Sequence, residues 1–198
     1  MRMFMDDDIK EDSGFVSLKG QFLIAMPELS DPNFAKTVTC ICEHSPEGAL
    51  GLIINKPHPL IITEQIFKEF QMSVHEKIGK DPIYMGGPVQ MDEIYILHGP
   101  PFTWRGTLQI TETLAMSNTI DLLEALASGT GPYHALMILG CAGWGPGQLE
   151  RELRENAWLT HTVTDSIIFN TKAEDCWDEA VKSLGIDPLL LMSDAGNA

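Results

Sequence analysis

The sequence predicts a single domain of the α/β or α+β class, with a mixed sheet flanked by helices. Three observations predict it. The chain has 198 residues, 44% of them hydrophobic, enough for one sizeable core where domains usually run to about 100–200 residues. Short β-rich runs alternate with amphipathic helical runs along the whole length. Several of the strands are joined by tight-turn residues, which makes them hairpin neighbours and argues against a purely parallel, doubly wound sheet.

Residues 1–17 are polar and acidic (Asp6-Asp7-Asp8, then Glu11-Asp12-Ser13-Gly14) and read as a tail without fixed structure. The domain is expected over residues 18–190, with 191–198 as a C-terminal tail. Gln21 to Met26 is a short apolar strand stopped by Pro27, and Asp31-Pro32 opens a helical turn through Phe34 and Ala35. Thr37–Glu43 alternates, and Gly51–Asn55 is a second β-rich run across the turn residues His44-Ser45-Pro46-Glu47-Gly48. Thr63 is expected to cap a helix carrying Ile66, Phe67 and Phe70. Ile83–Met85 and Ile94–His98 read as strands, as does the alternating run of Leu108 and Ile110. A helix starts at Asn118 or Thr119 and stops at Gly129. His134–Leu139 is nearly all apolar, as a central strand covered on both faces should be.

A glycine-rich turn, Gly140 to Gly147, is expected next, with Pro146 at the first position of a helix burying Leu149, Leu153 and Ala157. Ser166–Phe169 reads as a last strand. Thr171-Lys172-Ala173-Glu174 fits a capping box for a helix through Leu184, stopped by Gly185.

Composition excludes several classes. No stretch approaches the roughly 18 consecutive apolar residues of a membrane span, and the N-terminus meets Asp6-Asp7-Asp8 at once, unlike a secretory signal. A cytoplasmic location is the expectation. Net charge is −15, and Lys and Arg are scattered, which argues against direct nucleic-acid binding, since that requires clustered cations. The four cysteines are Cys40, Cys42, Cys141 and Cys176. Cys40 and Cys42 would share a strand face about 6.6–6.8 Å apart, too far for the roughly 3.5–4.5 Å between Cβ atoms of a disulfide. All four read as reduced core residues.

Candidate chemistry is local. The Gly140–Gly147 turn, with Trp144, Gly145 and Gly147, would expose backbone N–H groups at the start of a helix, where an anion can sit. It matches neither the dinucleotide fingerprint nor a Walker loop nor a nucleophile elbow. A tight packed turn beneath Trp144 explains it as well. Gln148, Glu152 and Asn156 recur every four residues and would stack on one helix face, either lining a cleft or satisfying loop amides of the same molecule. Glu43-His44 and Asn55-Lys56 would meet across the hairpin, bringing acid, imidazole, amide and ammonium together; turn chemistry and a surface ion pair account for them too. Cys42 and His44 lack a second cluster of zinc-type spacing, so no metal and no cofactor is implied. Trp104, in Pro100-Pro101-Phe102-Thr103-Trp104, either presents an exposed aromatic to a partner or folds inward.

Taken together, several stretches resemble the YqgE/AlgH family. They are Phe22-Leu23-Ile24-Ala25-Met26-Pro27 with Asp31-Pro32-Asn33-Phe34, and Cys42-Glu43-His44 with Gly48-Ala49-Leu50-Gly51 and Asn55-Lys56-Pro57. Gly86-Gly87-Pro88-Val89, Leu97-His98, Gly143-Trp144-Gly145-Pro146-Gly147-Gln148-Leu149-Glu150 and Asn156-Ala157-Trp158 complete the series. The resemblance covers about residues 18–187 and implies a bifurcated or partly barrel-like sheet flanked by helices. It also implies a regulatory, transcription-linked role attached to one branch of the family, without a mechanism. Cys141 departs from the family pattern, where another small or aromatic residue can stand, which weighs against a catalytic role for it.

The leading expectation is therefore a non-enzymatic regulatory or binding protein acting through a protein partner or a small ligand. An enzyme acting on a small acyl- or phosphate-bearing substrate at the Gly140–Gln148 turn is the alternative, and direct DNA binding comes third.

Overall fold

The protein is described from a computed structural model covering residues 15–75 and 80–194; most of the expected acidic N-terminal tail and the last four residues lie outside that range. Ten strands form one open sheet in the order β10-β1-β2-β3-β9-β6-β8-β7, with β4 and β5 as a branch. They are β1 (Gln21–Ala25), β2 (Val38–Ser45), β3 (Gly48–Ile53), β4 (Pro57–Ile62), β5 (Pro82–Met85), β6 (Val89–His98), β7 (Leu108–Gln109), β8 (Ala115–Ser117), β9 (Ala135–Trp144) and β10 (Trp158–Thr162). The helices are α1 (Thr63–Glu69), α2 (Ile120–Ser128), α3 (Gln148–Arg154), α4 (Cys176–Ser183) and α5 (Pro188–Asp194), with a π-helical turn at Ser166–Asn170. No helix among the described residues is long and apolar enough to cross a membrane.

The bifurcation lies on β9. Its first half pairs in parallel with β5 (Tyr84↔Ile138, Met85↔Leu139), and its second half pairs antiparallel with β3 (Ala49↔Trp144). Strand β6 runs along the other edge. Gly140–Gly143 are therefore strand residues, not the start of the expected turn, which is confined to Gly145–Gly147. The reason is a close backbone crossing. Gly140 has φ +70°, and a Cβ there would lie 2.9 Å from the Gly87 and Val89 carbonyl oxygens. A Cβ on Gly86 would lie 2.2 Å from the Gly140 carbonyl oxygen. These glycines let the β5–β6 turn press on β9 where the sheet divides.

The β2–β3 hairpin forms as expected, with a bulge between Ile41 and Glu43. One sheet face buries Phe22, Ile24, Val38, Cys40, Cys42 and Leu52 beneath α4, whose Trp177 donates its indole N–H to the Ala25 carbonyl at 2.8 Å. The other face is covered near β1 and β3 by α3, and near β5, β6 and β9 by α1 and α2. Full burial of side chains such as Phe22 and Leu52 contributes roughly 1.5–3 kcal/mol each.

Four local expectations are corrected. Ser166–Phe169 is a π-helical turn: Ile167 and Ile168 are adjacent and both buried against one core, which a single strand facing that core could not achieve. Ala157 lies beyond α3 rather than on it, and strand β10 begins at Trp158. Thr63 is not the cap of α1. The Gln65 side chain takes up the Ile62 N–H at 2.9 Å, while the Thr63 hydroxyl is buried without a partner among the described residues. The Thr171 capping box does not form, because the Thr171 hydroxyl donates to the Ser166 carbonyl and α4 starts later, at Cys176. Helix α5 runs to Asp194.

Candidate functional site

The polar residues picked out from the sequence fall into three places. The first surrounds α3. Gly147, at φ +69°, sets the helix start, and Gln148 folds back so that its Oε1 accepts the Gly145 N–H at 3.1 Å. The Gln148 amide donates to Glu152 Oε1 at 2.9 Å. Glu152 Oε2 accepts both the Trp144 and the Trp158 indole N–H, each at 2.9 Å. The two indoles meet edge to face at 6.2 Å, and Phe34 packs on both. One carboxylate thus clips two core tryptophans together. Asn156 does not extend this row: it sits past the helix end at φ +57°, where its N–H bonds the Leu153 carbonyl.

His44 is tied to the same end of the molecule, with a side chain only 2% exposed. Its Nδ1 accepts the Leu18 N–H at 2.9 Å, so the ring proton sits on Nε2 and faces Glu150 Oε1 at 3.0 Å. Phe15 packs on the ring at 4.8 Å, and the Ser17 hydroxyl bonds the His44 carbonyl. Both ring nitrogens are occupied within the molecule. The neighbouring cleft, about 490 Å³, is open and lined by Lys19, Glu43, His44, Glu47, Leu50 and Trp144. The Ser45 hydroxyl holds the Glu47 carboxyl below its usual range.

The second place holds Asn55 and Lys56, and the expected quartet with Glu43 and His44 is not assembled. Pairing is symmetric about the Ser45–Gly48 turn, so His44 faces Ala49 while Thr39 faces Ile53. Asn55 and Lys56 lie past the far end of the hairpin. Asn55 Oδ1 accepts the Val38 N–H at 2.8 Å and its amide donates to the Lys36 carbonyl at 2.9 Å. The Lys56 ammonium donates to the Pro32 and Asn33 carbonyls at 3.0 and 3.3 Å. An ammonium has three N–H donors, so one remains for another acceptor.

Lys56 stands at the rim of an apolar cleft of about 250 Å³ walled by Ile53, Ile61, Met85, Met91 and Leu139. His58 joins the rim. Its Nδ1 accepts the Leu60 and Ile61 N–H groups at 3.2 and 3.0 Å, leaving Nε2–H as a donor. Met91, 70% exposed, carries the apolar wall out to the surface. His58, Met85 and Met91 escape sequence reasoning because the cleft collects residues from separate segments and no spacing links them.

The third place is the loop of Trp104, which folds inward. Trp104 is half-buried against the α2 core, and its indole nitrogen is buried without a partner among the described residues. Among the described residues the most exposed aromatic is instead Tyr133, at 93%.

The four cysteines and His98 are core groups. Burial pushes the Cys141 thiol up, the Cys42 thiol well up, and the Cys176 thiol to about 12, far from the thiolate that nucleophilic attack needs. His98 is fully buried, bonded to the Gly99 carbonyl at 2.8 Å and to the Ser117 hydroxyl at 3.0 Å; burial lowers its pKa. Among the described residues, no group of three or more His, Cys, Asp or Glu side chains is placed to hold a metal ion.

Comparison with known proteins bears on the whole chain. The family model described as AlgH-like (DUF179) matches residues 22–189. The chain belongs to the AlgH-like family. A UPF0301 protein of Desulforapulum autotrophicum is 50% identical over 169 residues, covering 85% of this chain and 89% of the relative. One from a Jannaschia species is 45% identical over 183 residues, with 91% and 95% covered. The solution structure of the AlgH protein of Pseudomonas aeruginosa, another UPF0301 member, superposes with a TM-score of 0.73 at 38% identity over all of both chains. A crystal structure of a Corynebacterium diphtheriae protein shares the fold at 20% identity, with a TM-score of 0.68 over 89% of this chain and 91% of that one. The overall fold is thus shared with the AlgH structure.

Proposed function

We propose that this AlgH-like protein is a cytoplasmic, non-enzymatic binding protein. Its cleft at Lys56 receives a small molecule, or a partner's side chain, that joins an apolar body to a carboxylate or similar acceptor. The observation that carries the reading is the pairing of two free donors, on Lys56 and His58, with an apolar wall of Ile53, Ile61, Met85, Met91 and Leu139. A mostly apolar pocket with a few convergent polar groups is the usual form of a ligand site. A binding rather than catalytic role is supported by the internal commitment of His44, Gln148 and Glu152 and by the raised cysteine thiols. The net charge of −15 weighs against direct DNA binding, so any regulatory effect on transcription runs through the bound partner or ligand.

Titration with hexanoate, with hexanol as its uncharged counterpart, tests the reading. Hexanoate should bind more tightly than hexanol, and Lys56→Met should weaken it about tenfold, or about 1.4 kcal/mol, bringing the two probes level. Equal affinities for both probes in the unaltered protein would rule the reading out.

A further inference from the structure

A second cavity lies on the other side of the β4–β5 branch and shares no wall residue with the Lys56 cleft. It encloses about 500 Å³, within the range of roughly 300–1,000 Å³ typical of small-molecule sites. Its inner wall is Phe67, 1% exposed, with Leu136 and Met137. Thr63 belongs to the same wall: it is 6% exposed, and its hydroxyl has no partner among the described residues.

The mouth has a different character. Asp81 is exposed there, fixed beside Thr63 because the Thr63 N–H donates to the Asp81 carbonyl at 3.0 Å. No cation lies within salt-bridge distance of the Asp81 carboxylate among the described residues. Aromatic rings of Tyr84, Tyr133 and Phe169 surround the opening. Phe169 is braced by His134, stacked at 5.1 Å, and His134 in turn meets Tyr133 at 4.8 Å. Burial holds the Tyr84 phenol protonated well above neutrality, with the Cys176 thiol and the Asp81 carboxylate adding to the effect.

A carboxylate among aromatic faces is the arrangement that attracts an organic ammonium, by ion pairing and by the ring quadrupoles. The net charge of −15 favours approach of a cation. We propose that this cavity binds a small aromatic amine. The ammonium rests between Asp81 and the rings of Tyr84 and Tyr133. The aromatic body lies against Phe67, Leu136 and Met137.

The experiment is titration of the intact chain with tyramine, 2-phenylethylamine and 3-phenylpropionate, read by calorimetry and by the aromatic proton signals of Tyr84 and Phe169. At the Tyr84 and Phe169 signals both amines are expected to bind alike, and phenylpropionate at least tenfold more weakly than either. Asp81→Asn should weaken both amines at least fivefold. Lys56→Met should leave both amines unchanged, which separates this site from the hexanoate cleft. Equal shifts of the Tyr84 and Phe169 signals by the amines and the acid would overturn the proposal, as would unchanged amine affinity in Asp81→Asn or no saturable amine binding at millimolar concentrations.

Discussion

The α3 cluster and the Lys56 cleft are both polar groups set at strand ends, but they use their hydrogen bonds differently. Around α3 both carboxylate oxygens of Glu152 are engaged, Gln148 serves as acceptor and donor, and His44 has both ring nitrogens bonded within the molecule. At the cleft, Lys56 and His58 are anchored by part of their hydrogen-bonding capacity and keep a donor each. The first region reads as a fastener for Trp144 and Trp158, the second as a receptor. Residue type alone separates them poorly, whereas the count of unused donors and acceptors separates them well.

Four changes would break or sharpen this contrast. The largest effect is expected where the two regions share a support, at the crossing of Gly86 and Gly140. A Cβ on Gly86 would stand 2.2 Å from the Gly140 carbonyl oxygen and 2.5 Å from the Ile138 side chain. Gly86→Ala should therefore cost at least about 4 kcal/mol in urea denaturation and disturb both regions together. Next is Glu152→Ala, which strips two indole N–H groups of their acceptor. A loss of about 2–4 kcal/mol is expected, with tryptophan fluorescence altered and hexanoate affinity kept within about twofold.

Lys56→Met should do the reverse: a stability change under about 1 kcal/mol, seen as a shift of no more than about 2–4 °C in Tm, beside the tenfold loss of hexanoate affinity. The smallest effect is the pH dependence contributed by His98. Burial depresses its folded-state pKa, so the unfolded chain binds the proton more readily. The stabilisation is complete above the unfolded-state value of about 6.5 and declines as pH falls below it. Tm followed from pH 7.5 to 5 should fall less steeply in His98→Gln than in the unaltered chain, since the substitution removes that titration while keeping a polar side chain.

Much of the fold was legible because local signals agreed with each other. The Ser45–Gly48 turn between alternating runs marked the β2–β3 hairpin, the apolar run ending at Leu139 marked the central strand, and Gly129 and Gly185 stop their helices in left-handed conformations as expected. Misreadings arose where one residue type serves two structures. Adjacent Ile167 and Ile168 suit a buried strand or a helical turn equally. Gly140 signals a turn, yet here it permits a close crossing inside a strand. The edge strand β10 carries Thr160, His161 and Thr162, too polar to announce itself.

The candidate site was legible only where it was local. The spacing of Gln148 and Glu152 brought them into contact as helix geometry requires. The quartet of Glu43, His44, Asn55 and Lys56 failed because hairpin pairing is symmetric about the turn and sends Lys56 to the far end. The walls contributed by Ile61, Met85, Met91 and Leu139 come together only through the β4–β5–β9 packing, which no sequence spacing encodes.

The central claim is that the binding surface is the cleft at Lys56 and not the α3 cluster. Backbone and methyl chemical-shift mapping during a hexanoate titration tests it most directly. The account predicts saturating shifts at Lys56, His58, Ile61, Met85 and Met91, with Trp144, Gln148 and Glu152 silent. Shifts centred on His44, Trp144 and Gln148 instead would contradict it.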